Sequence, residues 1–184
     1  MIIYIHGFGS SGYGGKSTLM REYFRSMGKD FIAPSLSYIP DLAIATLEEL
    51  IESYDENISL VGSSLGGYYS IYLAQKYNLK AVLINPSIKP FVTLEKCLGY
   101  APSFFDDSSF EWKKSHLNML EKYDISPLTQ ENFLLLLQKG DETLDYREAT
   151  EKFAAATLII EEGGSHSFDG IGRHFETICD HCVI

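Results

Sequence analysis

The 184 residues include only three cysteines and one tryptophan, and basic side chains are outnumbered, 15 Lys and Arg against 25 Asp and Glu. Each shortage excludes something. Three cysteines cannot all pair within one chain, so no disulfide framework is expected to hold the fold. Apolar runs such as Phe133 to Leu137 fall far short of the roughly 20 residues that a membrane helix needs. A net charge of −10 repels phosphate backbones and anionic lipid heads, so neither nucleic acid nor a membrane is an expected partner. The start, Met1-Ile2-Ile3-Tyr4-Ile5-His6, offers no basic region and no small-residue cleavage site. With unpaired cysteines, this reads as a reduced, cytoplasmic protein.

What is present is ordinary for a folded domain: 45% hydrophobic and 22% charged residues. The length suits one domain over residues 1–184, able to bury about 70% of the surface its unfolded chain exposes. Six apolar runs of strand length recur: Ile2 to Ile5, Phe31 to Ala33, Ile58 to Val61, Ala81 to Ile84, Phe133 to Leu137 and Leu158 to Ile160. They lack polar alternation, as strands buried on both faces of a parallel sheet do. Helical spacing lies between them. Leu19, Met20, Tyr23, Phe24 and Met27 share one face, with Gly28 where a left-handed cap belongs. Pro40 and Asp41 open a second helix with Leu47, Leu50, Ile51 and Tyr54 on one stripe, and a third runs from about Leu65 to Tyr77. Alternating strands and helices predict a three-layer α/β fold around a mostly parallel sheet of about six strands.

One segment interrupts the alternation. Residues 86–126 are several times longer than a usual connection, so an inserted helical lid is expected there, with a helix over Ser109 to Lys122. Its aromatic residues, Phe104, Phe105 and Trp112 among them, suit an apolar acyl pocket or a small core of its own.

The strongest local signal is Gly62-Ser63-Ser64-Leu65-Gly66-Gly67 between a strand run and a helical pattern. This is the form of a nucleophile elbow, a sharp turn that lifts a serine hydroxyl above the sheet edge while glycines let strand and helix approach. Ser64 is then the candidate nucleophile. A serine hydroxyl needs a base and a group to orient that base, and behind such an elbow they follow in the order acid, then histidine, after later strands. Lys139-Gly140-Asp141-Glu142-Thr143-Leu144-Asp145 and Gly163-Gly164-Ser165-His166 fall in those places. His166 is the base. Asp141 is preferred as the acid over Asp145, which suits a helix cap, and over Glu142. The oxyanion hole is expected from the N–H groups of Leu65 and of Phe8, the latter in the loop His6-Gly7-Phe8-Gly9. Gly7, Phe104, Phe105, Trp112 and Tyr68 (or its neighbour Tyr69) are the candidate substrate-binding residues.

The His6-Gly7-Phe8 loop, the Gly62-to-Gly66 elbow, the Gly140-Asp141 turn and the Gly164-Ser165-His166 loop, in that order, resemble the α/β-hydrolase superfamily. The resemblance is closest to the small bacterial YqiA-type esterases, over nearly the whole chain. It implies an acyl-ester or thioester hydrolase with Ser64, Asp141 and His166 as triad, and a sheet without the first two strands of the full fold.

Competing motifs are weaker. Gly7-x-Gly9-x-x-Gly12 fits a dinucleotide fingerprint, but no acid ends the second strand run, where Pro34-Ser35 stand, and the helix is expected to start only near Lys16. Gly15-Lys16-Ser17 has Ser10 where a phosphate loop needs glycine. Cys179-Asp180-His181-Cys182 lacks two further zinc ligands. The expectation is a serine esterase for short or medium acyl esters, with a small-molecule ester or thioester substrate and no metal or organic cofactor. An acyl-coenzyme A thioesterase, or a hydrolase-fold protein that binds without turnover, is the alternative.

Overall fold

The computed structural model describes residues 1–55, 57–125 and 129–182. In chain order the elements are β1 (Ile2–Ile5), α1 (Gly15–Ser26), β2 (Phe31–Ile32), α2 (Pro40–Glu52), β3 (Ser59–Ser63), α3 (Leu65–Tyr77) and β4 (Lys80–Ile84). The inserted segment follows with α4 (Pro90–Thr93), β5 (Gly99–Pro102), β6 (Ser109–Trp112) and α5 (Lys114–Glu121). The chain then returns through β7 (Phe133–Gln138), α6 (Tyr146–Lys152), β8 (Thr157–Glu161) and α7 (Phe175–Cys182).

Six strands form one parallel sheet in the order β2-β1-β3-β4-β7-β8. Because successive strand residues point to opposite faces, each central strand feeds two cores. Ile3, Ile5, Leu60, Leu83, Leu135 and Leu137 pack with Ala43, Ile44 and Leu47 of α2, Tyr68 and Ile71 of α3, and Ala149 of α6. On the other face Ile2, Tyr4, Val61, Val82, Leu134 and Leu136 meet Met20 and Phe24 of α1 and Phe175 and Ile178 of α7. Helices on both faces make the three layers, and the central runs can be uninterruptedly apolar because neither face meets water. Leu135, fully buried in β7, marks the scale of that packing: truncation to Ala would cost about 2–5 kcal/mol.

Several expectations need correction. β2 stops at Ile32 because Ala33 precedes Pro34, which cannot donate to a ladder. On α1 the buried stripe is Ser17, Met20 and Phe24, while Leu19 and Met27 are exposed. The insertion is not purely helical. Ser109–Trp112 pairs antiparallel with Gly99–Pro102, and the helix begins only at Lys114. Phe110 and Trp112, two positions apart, share the strand face that packs on Phe8, a spacing that suits a strand rather than a helix. The insertion's expected end at Ser126 lies outside the described residues, as do the chain's last two positions. Among the described residues no helix is long and apolar enough to cross a membrane.

Candidate active site

Ser64 links the end of β3 to the start of α3 in a backbone conformation, φ 56° and ψ −121°, that a non-glycine residue adopts only under constraint. The constraint is visible. Its N–H donates to Ile84 O, and its carbonyl accepts from the N–H groups of Gly67, Tyr68 and Ser87. The turn closes so tightly that a Cβ on Gly66 would lie 2.0 Å from Ile5 O, so only glycine lets α3 pass this close to β1. A Cβ on Gly7 would lie 3.1 Å from Ser64 Cβ, which puts the loop after β1 directly against the serine.

His166 stands in the loop after β8, with Nε2 3.0 Å from Ser64 Oγ and Nδ1 2.8 Å from Asp141 Oδ2. Asp141 follows β7, and its side chain is only 2% exposed. Burial alone would raise its carboxyl. The hydrogen bond from His166 and those from the N–H groups of Leu144 and Thr143, with the electrostatic attraction of the His166 ring, outweigh burial and hold it below the ordinary carboxylate range. A carboxylate on Nδ1 fixes the tautomer in which Nε2 can accept the serine proton. The other two acids serve elsewhere. Glu142 accepts from His166 N–H, and Asp145 caps α6 by accepting from Arg147 N–H.

A buried pair of amides, Asn85 after β4 and Gln138 ending β7, holds the histidine loop. Asn85 Nδ2 donates to the carbonyls of Ser165 and His166, and its Oδ1 accepts from Gln138 N–H. Gln138 Oε1 accepts from the N–H groups of Ser165 and Asp169, and its Nε2 donates to Glu161 and to Asp169 O. Lys16 Nζ adds a bond to Ser167 O. Sequence reasoning passed over these residues. The one signal available was a polar side chain closing each apolar strand run, at Asn85 and at Gln138.

The N–H groups of Phe8 and Leu65 have no partner among the described residues, and both residues line a cavity of about 270 Å³ beside Ser64. Gly7, Leu36, Tyr38, Tyr69 and Phe110 line it too. His6 anchors the loop: Nδ1 donates to Gly7 O and Nε2 accepts from Leu36 N–H, while burial lowers its pKa, so the ring stays neutral. Of the candidate substrate-binding residues, Gly7 lines the cavity and four do not. Tyr68 is buried, with its hydroxyl donating to Leu120 O of the insertion. Trp112 is buried against Phe8 and His116. Phe104 and Phe105 are 72% and 52% exposed at the turn between β5 and β6, and Phe104 N–H ties that turn to Gly9 O. Of the pair Tyr68 and Tyr69 it is Tyr69 that lines the cavity, and Phe110 stands where Trp112 was expected.

Neither competing nucleotide motif builds a site. α1 starts at Gly15, three residues beyond the last fingerprint glycine, and Lys16 is spent on the histidine loop. Among the described residues no group of three or more His, Cys, Asp or Glu is placed to hold a metal ion, and burial pushes the Cys182 thiol up to about 12.

Solved structures share this fold. Alpha/beta hydrolase domain-containing protein 10 from mouse superposes with a TM-score of 0.77 at 19% identity, covering 97% of this chain and 88% of its own. Est1E from Butyrivibrio proteoclasticus, with ferulic acid bound, superposes with a TM-score of 0.75 at 14% identity, covering 98% and 85%. The fold is thus that of the α/β hydrolases. By sequence, the UPF0227 protein YcfP of Escherichia coli (strain HS) is 25% identical over 183 residues, 97% of this chain and 96% of the relative. The uncharacterised protein family UPF0227 matches residues 1–182, and the chain belongs to that family.

Proposed function

We propose that this protein is a serine carboxylesterase acting on short or medium acyl esters. His166 takes the Ser64 proton as Oγ attacks the ester carbonyl, and the N–H groups of Leu65 and Phe8 hold the oxyanion. His166 returns the proton to the departing alcohol. Water, deprotonated by the same imidazole, then releases the acid from Ser64 while Asp141 balances the imidazolium charge. The observation that carries the reading is the hydrogen-bonded chain Asp141–His166–Ser64, at 2.8 and 3.0 Å, ending on a serine in a strained turn. The free N–H at the start of α3 adds a favourable helix dipole for the oxyanion. The fold likeness to an esterase with ferulic acid bound supports the same reaction class.

The test is hydrolysis of p-nitrophenyl esters of increasing acyl length by the wild type and by Ser64→Ala. Turnover is expected to favour chains that fit the cavity, and the substitution should lower kcat on the order of 10⁶-fold while leaving the protein folded. Wild-type turnover that survives in Ser64→Ala would assign the chemistry to another group. A folded wild type inert on every ester would remove the esterase reading.

A further inference from the structure

The cavity beside Ser64 carries no formally charged side chain, and its polar groups differ in what they have left to offer. The His6 ring is spent on Gly7 O and Leu36 N–H. Ser37 Oγ accepts from Ile39 N–H, and the hydroxyls of Ser103 and Ser108 are spent on Asp106. The hydroxyls of Ser10, Ser109 and Tyr38 also form no hydrogen bond with the described residues, but Ser10 is half-buried and the other two are exposed, open to water. Tyr69 is different. It lies on α3 five residues beyond Ser64 and is only 3% exposed. Its hydroxyl forms no hydrogen bond with the described residues, yet it is not among their fully buried unpartnered atoms, which are Ser87 Oγ and Trp112 Nε1, so its oxygen keeps access to the space it lines. A phenol oxygen with no protein partner and access to a cavity meets water or a ligand there. Its neighbour Tyr68 shows the ordinary solution, since that hydroxyl is satisfied by Leu120 O. Burial pushes the Tyr69 phenol well above its usual range, so it stays protonated and offers a donor. Around it the walls are apolar rings: Phe8, Phe110 and, stacked 4.7 Å from Phe110, Tyr38. At liquid density about 270 Å³ holds roughly nine waters, the bulk of a short chain or one substituted ring.

We infer that Tyr69 is a specificity-determining residue whose hydroxyl binds a hydroxyl on the acyl group, so that the substrates are esters of neutral, hydroxylated acids with a flat or short apolar body. The inference rests on the esterase reading and deepens it. A site that hydrogen-bonds a substrate hydroxyl discriminates against the analogue that lacks it, because the buried protein group is then left unpaired.

The experiment compares kcat/KM for matched ethyl esters of 3-phenylpropanoate and its meta- and para-hydroxy forms, using the wild type and Tyr69→Phe. p-Nitrophenyl acetate serves as the reference for the underlying chemistry. The wild type should favour one hydroxylated ester by about 3- to 10-fold, the worth of one neutral hydrogen bond. Tyr69→Phe keeps the ring, and the ratio should collapse toward one. Turnover of the reference ester with no hydroxyl preference, or a preference that survives in Tyr69→Phe, overturns the inference and leaves the esterase reading standing. A preference for hydroxyls placed only on the alcohol side, in the corresponding phenethyl acetates, overturns it as well. A folded wild type inert on the reference ester and on all the others overturns the esterase reading and the inference together.

Discussion

Asp141 and Asp145 stand four residues apart, and their partners separate them. Asp141 is buried and bonded to the imidazole, whereas Asp145 is half exposed and bonded to the first turn of α6. On the proposed mechanism Asp141→Asn leaves an amide that stabilises the wrong tautomer, and kcat should fall by about 10⁴-fold with the fold intact. Asp145→Asn keeps a good helix cap and should change neither activity nor stability much, while Asp145→Ala should cost about 1 kcal/mol in urea unfolding. Ester kinetics and denaturation of the three variants check this, and the reverse pattern would move the acid role to Asp145. The chain order Ser64, Asp141, His166 was legible because each follows a strand run and has a glycine within two residues. The choice between Tyr68 and Tyr69 was not. Adjacent positions on a helix point about 100° apart, and in α3 both directions are buried, so hydropathy could not tell the cavity side from the insertion side.

At the scale of elements, what matters most is how a loop becomes a precise holder for an imidazole. The loop after β8 has no regular structure, yet Asn85, Gln138, Lys16 and Glu142 together bond the backbone of Ser165, His166, Ser167 and Asp169. Asn85 has φ 39°, so Asn85→Gly removes the amide without adding backbone strain. Amide exchange at residues 165–169 should accelerate in this variant, and kcat should fall by up to about 10²-fold with little change in KM, the cost of a misplaced base. Unchanged exchange with lowered kcat would give Asn85 some other part. Such a holder is hidden from sequence reasoning because its bonds join residues 24 to 151 positions apart. The insertion was hidden for a second reason. Its β5–β6 hairpin is four residues a side with an exposed outer face, so the alternation at Phe110 and Trp112 was too short to outweigh the helical pattern that follows. One bond joins α5 to α3: Tyr68→Phe, which removes the hydrogen bond to Leu120 O, should lower stability by about 1 kcal/mol.

Over the whole molecule, the parallel sheet was the most legible feature, because strands covered on both faces must be apolar throughout. What sequence could not show is how the sheet's far edge is tied down. Glu161, the last residue of β8, accepts from Gln138 of β7 and from Arg173 and His174 in the turn before α7, so one carboxylate joins two strands to the helix behind them. The Gln138 bond, outweighing partial burial, and then the bonds from His174 and Arg173 depress its pKa from 4.5 to about 2. The sign follows. Between these values the unfolded chain binds a proton that the folded chain does not, so stability rises with pH across the window. The contribution is complete above the unfolded value and is lost as pH falls through about 4.5 toward 2. Glu161→Gln should therefore be less stable than the wild type at neutral pH and show a shallower fall of urea-unfolding free energy below pH 4.5. The fall should not vanish, because Asp41, Asp141 and Glu142 are also held low. The net charge of −10 acts in the opposite direction only above the isoelectric point, near 4.9. Below it the chain turns positive and self-repulsion grows as pH falls, in the same direction as the loss at Glu161. Added salt screens that long-range repulsion more than the bonded carboxylate. The difference in slope between wild type and Glu161→Gln should therefore persist at high ionic strength, and its disappearance there would assign the acid sensitivity to net charge instead.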